Sequence, residues 1–385
     1  MRILYLESSG SWGGQEFRTC REINWLNANG HKAWLICDPA SQVFTKAREL
    51  GTRVRPMPLR WRISPLRTWR LWQFCREHRI QLVKTFGSKD QWLCLPLYLA
   101  GMPVIRARCI TNSLGKRNRG FIYKHGCAKI VADAQVIKRQ LIEEDGIDPA
   151  KIEVVGSGVD LTRFNPSQDR MKFRNELGIA PETPLIVNVG MIRSDKGQAT
   201  LIAASRFVLR QRPDARFVVV GEATRHRGRE QRIRRKLWRA GVQDKVWLMG
   251  YRWDTPEILA AADMVVIASF GTEASPIVLR EAMATGRPLI ATKVGDVPEI
   301  IQHGENGLLA EPGSPDSLAS AILLFLSDTD LARRCAQNGL TFARKHFCFD
   351  RMMRAKLRID EMLVRDVDVG ERLRSEPAEF RPTPD

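Results

Sequence analysis

The chain has no C-x-x-C pair. Its eight cysteines (Cys20, Cys37, Cys75, Cys94, Cys109, Cys127, Cys335 and Cys348) are scattered without metal-type spacing to any of the six histidines. This argues against a structural zinc or disulfide framework and for buried, reduced thiols in a cytoplasmic protein; no metal is expected. Long apolar runs are also missing. The longest, WLCLPLYLAGMPVI at 92–105, is too short and too interrupted by Pro and Gly to span a bilayer. The sequence opens directly on a strand-like MRILYL, so no signal peptide is expected. Acid is scarce, with 43 Asp and Glu against 61 Lys and Arg and a net charge of +18. Residues 1–165 hold 27 of the cations and only 14 of the acids, so most of the excess lies in the first half. Such a field draws nucleic acid, acidic lipid or phosphorylated saccharide without choosing among them. No nucleic-acid module is recognisable, and no nucleic-acid partner is expected.

What is present describes a globular protein, 44% hydrophobic and 8% aromatic, whose 385 residues suffice for two α/β domains. Strand-like stretches alternate with helical ones throughout. They are ILYLES, KAWLIC, TRVRPM, LVKTF, PVIRAR, KIVAD and IEVVG, then LIVNVG, RFVVVG, KVWLMG, MVVIAS, PLIAT and GLLAE. This order predicts parallel sheets with crossover helices, among them residues 17–27, 199–212 and 276–284. The pattern breaks at NPSQDR, after Phe164. The expected organisation is two doubly wound Rossmann-like domains, 1–165 and 166–345, facing each other across a cleft. A helix over 346–364 packs back toward the first domain, and a polar, proline-bearing tail occupies 365–385.

The densest chemistry lies in SFGTEASPIVLREAMATGRP, where Glu273 and Glu281 stand eight positions apart around Ser275-Pro276. Ser275 reads as an N-cap and Pro276 as the first helical residue. The amides of Ile277, Val278 and Leu279 then point out of the helix end, where phosphate binds well. One acid can face a sugar and the other a ribose, with a diphosphate between them. Strand LIVNVG ends at Gly190 and leads into a loop with Arg193 and Lys196-Gly197, which can aim two cations at the same diphosphate. Residues 53–79 carry eight arginines, from Arg53 to Arg79, and one acid, with Trp61, Trp69 and Trp72 among them. On a helix from Pro65, a three-residue spacing places Leu66, Trp69, Trp72 and Cys75 on one face. Either that face packs on the sheet, or the segment meets an anionic membrane or lipid-linked acceptor. A second basic run, RHRGREQRIRRKLWR at 225–239, reads as an exposed helix without a site.

Taken in order, these elements resemble the family 4 (group 1) glycosyltransferases. The resemblance rests on Gly13-Gly14, Asn29-Gly30-His31, SGVDLTRFNP, Lys196-Gly197, VVVGE and LMGYRWDTPEILAAADMVVIAS. The Glu273–Glu281 pair, GRPLIATKVGDVPEII and NGLLAEPG complete it, and SWGGQEFRT is similar to enzymes of lipopolysaccharide-core or other surface-polysaccharide synthesis. The resemblance implies the GT-B fold and a retaining transfer from a nucleotide-diphosphate sugar, the donor substrate, to a hydroxyl of a glycolipid or oligosaccharide acceptor. No cofactor is implied. Glu281 would bind the ribose, Glu273 the donor sugar, Lys196 the diphosphate, and Gly13 and Gly14 would admit the leaving phosphate and acceptor. The cytoplasmic face of the membrane, with peripheral attachment, is the implied location.

Three positions depart from the family pattern. Met191 replaces the usual Arg after Gly190, which makes Arg193 the substitute. Cys109, after Arg106-Ala107-Arg108, replaces a His, and Phe86, after Thr85, replaces another. Arg106 and Arg108 are candidate binders of an anionic acceptor. A catalytically weakened saccharide-binding or assembly protein, and a nucleotide-sugar epimerase, remain as alternatives.

Overall fold

The computed structural model describes residues 1–59, 64–111, 114, 120–223, 228–271 and 274–375, with side chains to residue 365. Among the described residues, thirteen strands form two all-parallel sheets. The first contains β1 (Arg2–Glu7), β2 (Lys32–Cys37), β3 (Val54–Pro56), β4 (Leu82–Thr85), β5 (Val104–Arg108), β6 (Lys129–Ala132) and β7 (Ile152–Val154) in the order β3-β2-β1-β4-β5-β6-β7. The second contains β8 (Leu185–Val189), β9 (Arg216–Val220), β10 (Val246–Leu248), β11 (Met264–Ile267), β12 (Leu289–Thr292) and β13 (Leu308–Ala310) in the order β10-β9-β8-β11-β12-β13. Each corresponds to one of the thirteen strand-like stretches in the sequence.

These strands read as near-continuous apolar runs because helices cover both faces. Leu4 and Leu6 enter one apolar layer and Ile3 and Tyr5 the other, as a two-residue side-chain period requires. Ile186 and its neighbours Leu185 and Val187 divide between the two layers of the second sheet in the same way. Chain order reverses between β1 and β4 in one sheet and between β8 and β11 in the other. Ligands in such folds collect beyond the carboxyl ends of the strands at these switch points. The loops after β1, β8 and β11 therefore carry the site.

The last helix, Phe349–Ser375, returns to the first domain. Phe349, Met352, Met353, Leu363 and Val364 join the layer of Ile3, Tyr5 and Leu35. Two buried ion pairs seal that contact, Lys356 with Glu22 and Lys84 with Asp360, each at 2.6 Å. The helix runs ten residues beyond Arg365, where the sequence reading begins a tail. RDVDVGERLRS holds no proline, and its single glycine costs a helix only about 1 kcal/mol.

The helix Pro65–Glu77 corrects the predicted face. Leu71 and Cys75 are buried, whereas Leu66, Trp69 and Trp72 are 56%, 51% and 41% exposed. Leu66 and Cys75 are nine residues apart, which is two and a half helical turns, so they occupy opposite sides. The tryptophans thus face solvent rather than the sheet. Trp61 lies outside the described residues.

Candidate active site

A cavity of about 650 Å³ opens between the two domains. Gly13, Gly14, Cys109, Gly190, Arg193, Lys196, Ser275, Ile277, Val278 and Glu281, far apart in sequence, all line it. Glu273 lies outside the described residues. Thr85, Phe86, Arg106 and Arg108 are not part of the lining.

The second domain supplies the phosphate-facing chemistry. Lys196 ends a short 3₁₀ turn, Ser194–Lys196, and Gly197 follows at φ 68°. A Cβ at Gly197 would stand 1.7 Å from the Ala268 carbonyl, so only glycine lets this loop press onto the end of β11. Burial, helped by the nearby Arg193 cation, brings the Lys196 ammonium down to about 8. Arg193 lines the cavity, but its guanidinium is engaged in a bidentate contact with Asp195.

The helix Ile277–Ala284 begins one residue later than the sequence suggests. Pro276, not Ser275, is the N-cap. The Ser275 hydroxyl instead donates to Asp296 at 2.8 Å, and Arg280 holds the same carboxylate oxygen at 2.6 Å. Asp296 is 21 residues downstream, so local sequence could not reveal the competition for that hydroxyl. The Leu279 amide donates to the Pro276 carbonyl at 3.3 Å. Ile277 and Val278 line the cavity, and their amides belong to the first turn, where the helix offers no carbonyl partner. Glu281, one turn further in, is pushed up to about 7 by burial, which Arg163 and Arg21 only partly offset.

The first domain supplies the opposite wall, where Arg18 was missed by sequence reasoning. Its guanidinium donates to Asp133 at 2.5 Å, to Ser157 at 2.6 Å and to the Cys109 sulfur at 2.9 Å. Arg18, Asp133 and Ser157 line the cavity beside Cys109. Burial and the adjacent Asp133 push the Cys109 thiol up to about 12, so it is protonated near neutral pH. Phe86, partly buried, packs against the core, its ring stacked on Tyr5 at 6.1 Å between centroids.

The proposed anion-binding role of Arg106 and Arg108 is not compatible with where they lie. Both are buried and reach the Tyr123 hydroxyl, at 3.2 and 3.3 Å. Their positions in a strand told nothing of Tyr123, which arrives from a separate helix, Phe121–His125.

At the mouth, Trp12 donates to the Tyr251 hydroxyl at 3.4 Å. Lys46 sits 5.0 Å above the Trp253 ring, and Arg163 donates to the Trp253 carbonyl at 2.7 Å. These contacts join the two domains across the opening.

Two doubly wound domains with a cleft at their switch points define the GT-B architecture. The HepE protein of Anabaena, solved with UDP-glucose, superposes with a TM-score of 0.82 at 23% identity, covering 93% of this chain and 99% of that one. Residues 12–163 match the model described as Glycosyltransferase Family 4, and residues 169–342 the one described as Glycosyl transferases group 1. The chain belongs to the family 4 (group 1) glycosyltransferases.

Among similar curated proteins, D-inositol 3-phosphate glycosyltransferase of Segniliparus rotundus is 33% identical over 217 residues, 56% of this chain and 48% of that protein. Lipopolysaccharide core biosynthesis mannosyltransferase LpsB of Rhizobium meliloti is 29% identical over 215 residues, 55% of this chain and 61% of that protein. The match to the first of these spans about half of the relative's length.

Proposed function

We propose that this chain transfers a sugar, with retention, from a nucleotide-diphosphate sugar to a hydroxyl of a glycolipid or polysaccharide in surface-glycan synthesis. The observation that carries this reading is the convergence of Lys196, the first turn at Ile277 and Glu281 in one interdomain cavity facing Gly13-Gly14. Glu281 accepts the ribose hydroxyls. Lys196 and the amides of Ile277 and Val278 hold the diphosphate and stabilise its departure. Glu273 is assigned to the donor sugar by its motif. HepE, solved with UDP-glucose, and LpsB, named for a lipopolysaccharide-core step, support the donor and acceptor classes. One observation favours a catalytically weakened variant: Cys109 replaces an imidazole with a thiol, a weaker donor. Mass-spectrometric detection of a glycosylated product, with NMR of its anomeric linkage, decides between turnover and binding alone.

Calorimetry with a panel of nucleotide sugars tests the donor site. Glu281→Ala is expected to weaken the best binder about 10- to 100-fold, as loss of hydrogen bonds to a charged group does. The raised Glu281 carboxyl also predicts a pH effect. Below about pH 7 it is neutral and a poorer acceptor. Affinity should therefore fall as pH drops from 8 to 6, and Glu281→Gln should remove that slope. Unchanged binding by both variants would exclude Glu281 from the donor site.

Attachment to the cytoplasmic face of a membrane is part of the same proposal. Among the described residues no helix is long and apolar enough to cross a bilayer. The exposed Leu66, Trp69 and Trp72, with Arg70 and Arg76 on the same helix, suit insertion at an anionic interface. Trp69→Ala/Trp72→Ala should cut recovery with phosphatidylglycerol vesicles in flotation several-fold. Equal recovery of the parent protein with neutral and anionic vesicles would count against attachment.

A further inference from the structure

The cavity floor below Gly13 is acidic, although the chain as a whole is strongly basic. Glu16 lines the cavity and is buried in the first turn of helix Gly14–Ala28. Burial raises its carboxyl, while the nearby Ser9 side chain and the backbone of Glu16 and Gly13 favour the charged form. A Cβ at Gly13 would lie 3.2 Å from the Glu16 Oε2 and 3.5 Å from the Met191 methyl, and one at Gly14 would lie 3.8 Å from the Ile277 Cγ2. Glu16 therefore sits where the first domain meets both phosphate-facing loops of the second. Glu7, also buried, stands behind it and accepts from the Ser9 amide at 3.0 Å and the Gln15 side chain at 2.8 Å. Asp90 faces Glu7 from the helix Ser88–Leu99. Of the two cations on helix Gly14–Ala28, Arg18 is engaged by Asp133, Ser157 and Cys109, and Arg21 by Asp160. Cys20 is a further titratable neighbour, and Met191, opposite, carries no charge. A phosphate or carboxylate on the acceptor would be repelled here, whereas uncharged hydroxyls would find a strong acceptor.

We propose that Glu16 binds the acceptor through its hydroxyls and restricts the sugar beside the reacting oxygen to an uncharged one. This rests on the glycosyl-transfer reading above. No proton passes to Glu16. The acceptor oxygen bonds to the anomeric carbon, the bond from that carbon to the phosphate oxygen breaks, and the departing diphosphate takes the electron pair and the hydroxyl proton.

Glu16 also occupies the third helical position, where a Glu or Gln can reach back to the capping amide. Glu16→Gln keeps that contact and removes only the charge, so it separates capping from substrate binding. The assay uses the tightest-binding nucleotide sugar as donor, with neutral octyl glucoside and octyl mannoside and their 6-phosphates as acceptors. The parent protein should use the neutral glycosides at least 10-fold better than the phosphates. Glu16→Gln should raise KM for the neutral acceptors about 10- to 100-fold and narrow that preference. Donor KM and donor hydrolysis in water should stay unchanged. The burial-raised Glu16 carboxyl should also give the parent an acidic limb in kcat/KM for acceptor that Glu16→Gln lacks. Parent-like kinetics for Glu16→Gln, preference for the phosphates or turnover of neither glycoside would overturn the proposal. Failure of the parent to bind any nucleotide sugar would instead fault the glycosyl-transfer reading.

Discussion

Lys196→Ala is expected to lower the rate of sugar transfer by about 10²–10³, or roughly 2.7–4 kcal/mol, the scale for removing one preorganised group at a developing charge. The ammonium is placed by a turn that Gly197 presses against Ala268, so it needs little reorganisation when the diphosphate leaves. Arg193 is poorly placed to compensate while Asp195 engages its guanidinium. The lowered Lys196 gives a second readout. Its charged form binds phosphate and is present below about pH 8. Nucleoside diphosphate affinity should decline above that value, and Lys196→Ala should abolish this decline while leaving the separate fall below pH 7 that Glu281 sets. Donor-saturated initial rates and calorimetry at pH 7 and 9 measure both effects. A rate within threefold of the parent would remove Lys196 from the transfer step.

Asp133→Ala should destabilise the first domain toward the low end of about 3–5 kcal/mol, because the buried Arg18 guanidinium loses its closest anion and keeps the more distant Glu22, at 3.5 Å. In a domain of this size that amounts to a Tm decrease on the order of 10 °C. Burial works to raise the Asp133 carboxyl, but Arg18 and Lys356 outweigh it and hold it below the ordinary aspartate range. A depressed carboxyl contributes stability above its unfolded pKa, near 4, and loses it as pH falls through the lower folded value. The deficit of Asp133→Ala relative to the parent should therefore persist at pH 7 and shrink only in strong acid. Arg18→Met/Asp133→Leu should recover much of the loss, since an apolar pair avoids desolvating two charges. Thermal unfolding of the three proteins provides the comparison. If Asp133→Ala matched the parent, the pair would contribute nothing to stability.

Much of the fold was legible in the sequence because parallel strands covered on both faces must be apolar throughout. The cavity-lining residues at strand ends and helix starts, Gly190, Lys196, Ile277 and Glu281, could be found by the same local logic. Errors occurred where a partner came from far along the chain. Asp296 took the Ser275 hydroxyl, Tyr123 buried Arg106 and Arg108, and Arg18 reached Cys109 across 91 residues. The Trp69–Trp72 face was a different error, since a three-residue repeat drifts around a helix of 3.6 residues per turn.

The sequence by itself determined two parallel α/β domains, their switch-point loops and the chemistry carried by those loops, because each follows from short-range pattern. Tertiary structure decided which charges face the cavity and which are consumed in the wall. A buried ionic group goes to whichever partner compensates its desolvation, and that partner is set by packing rather than by neighbours in sequence.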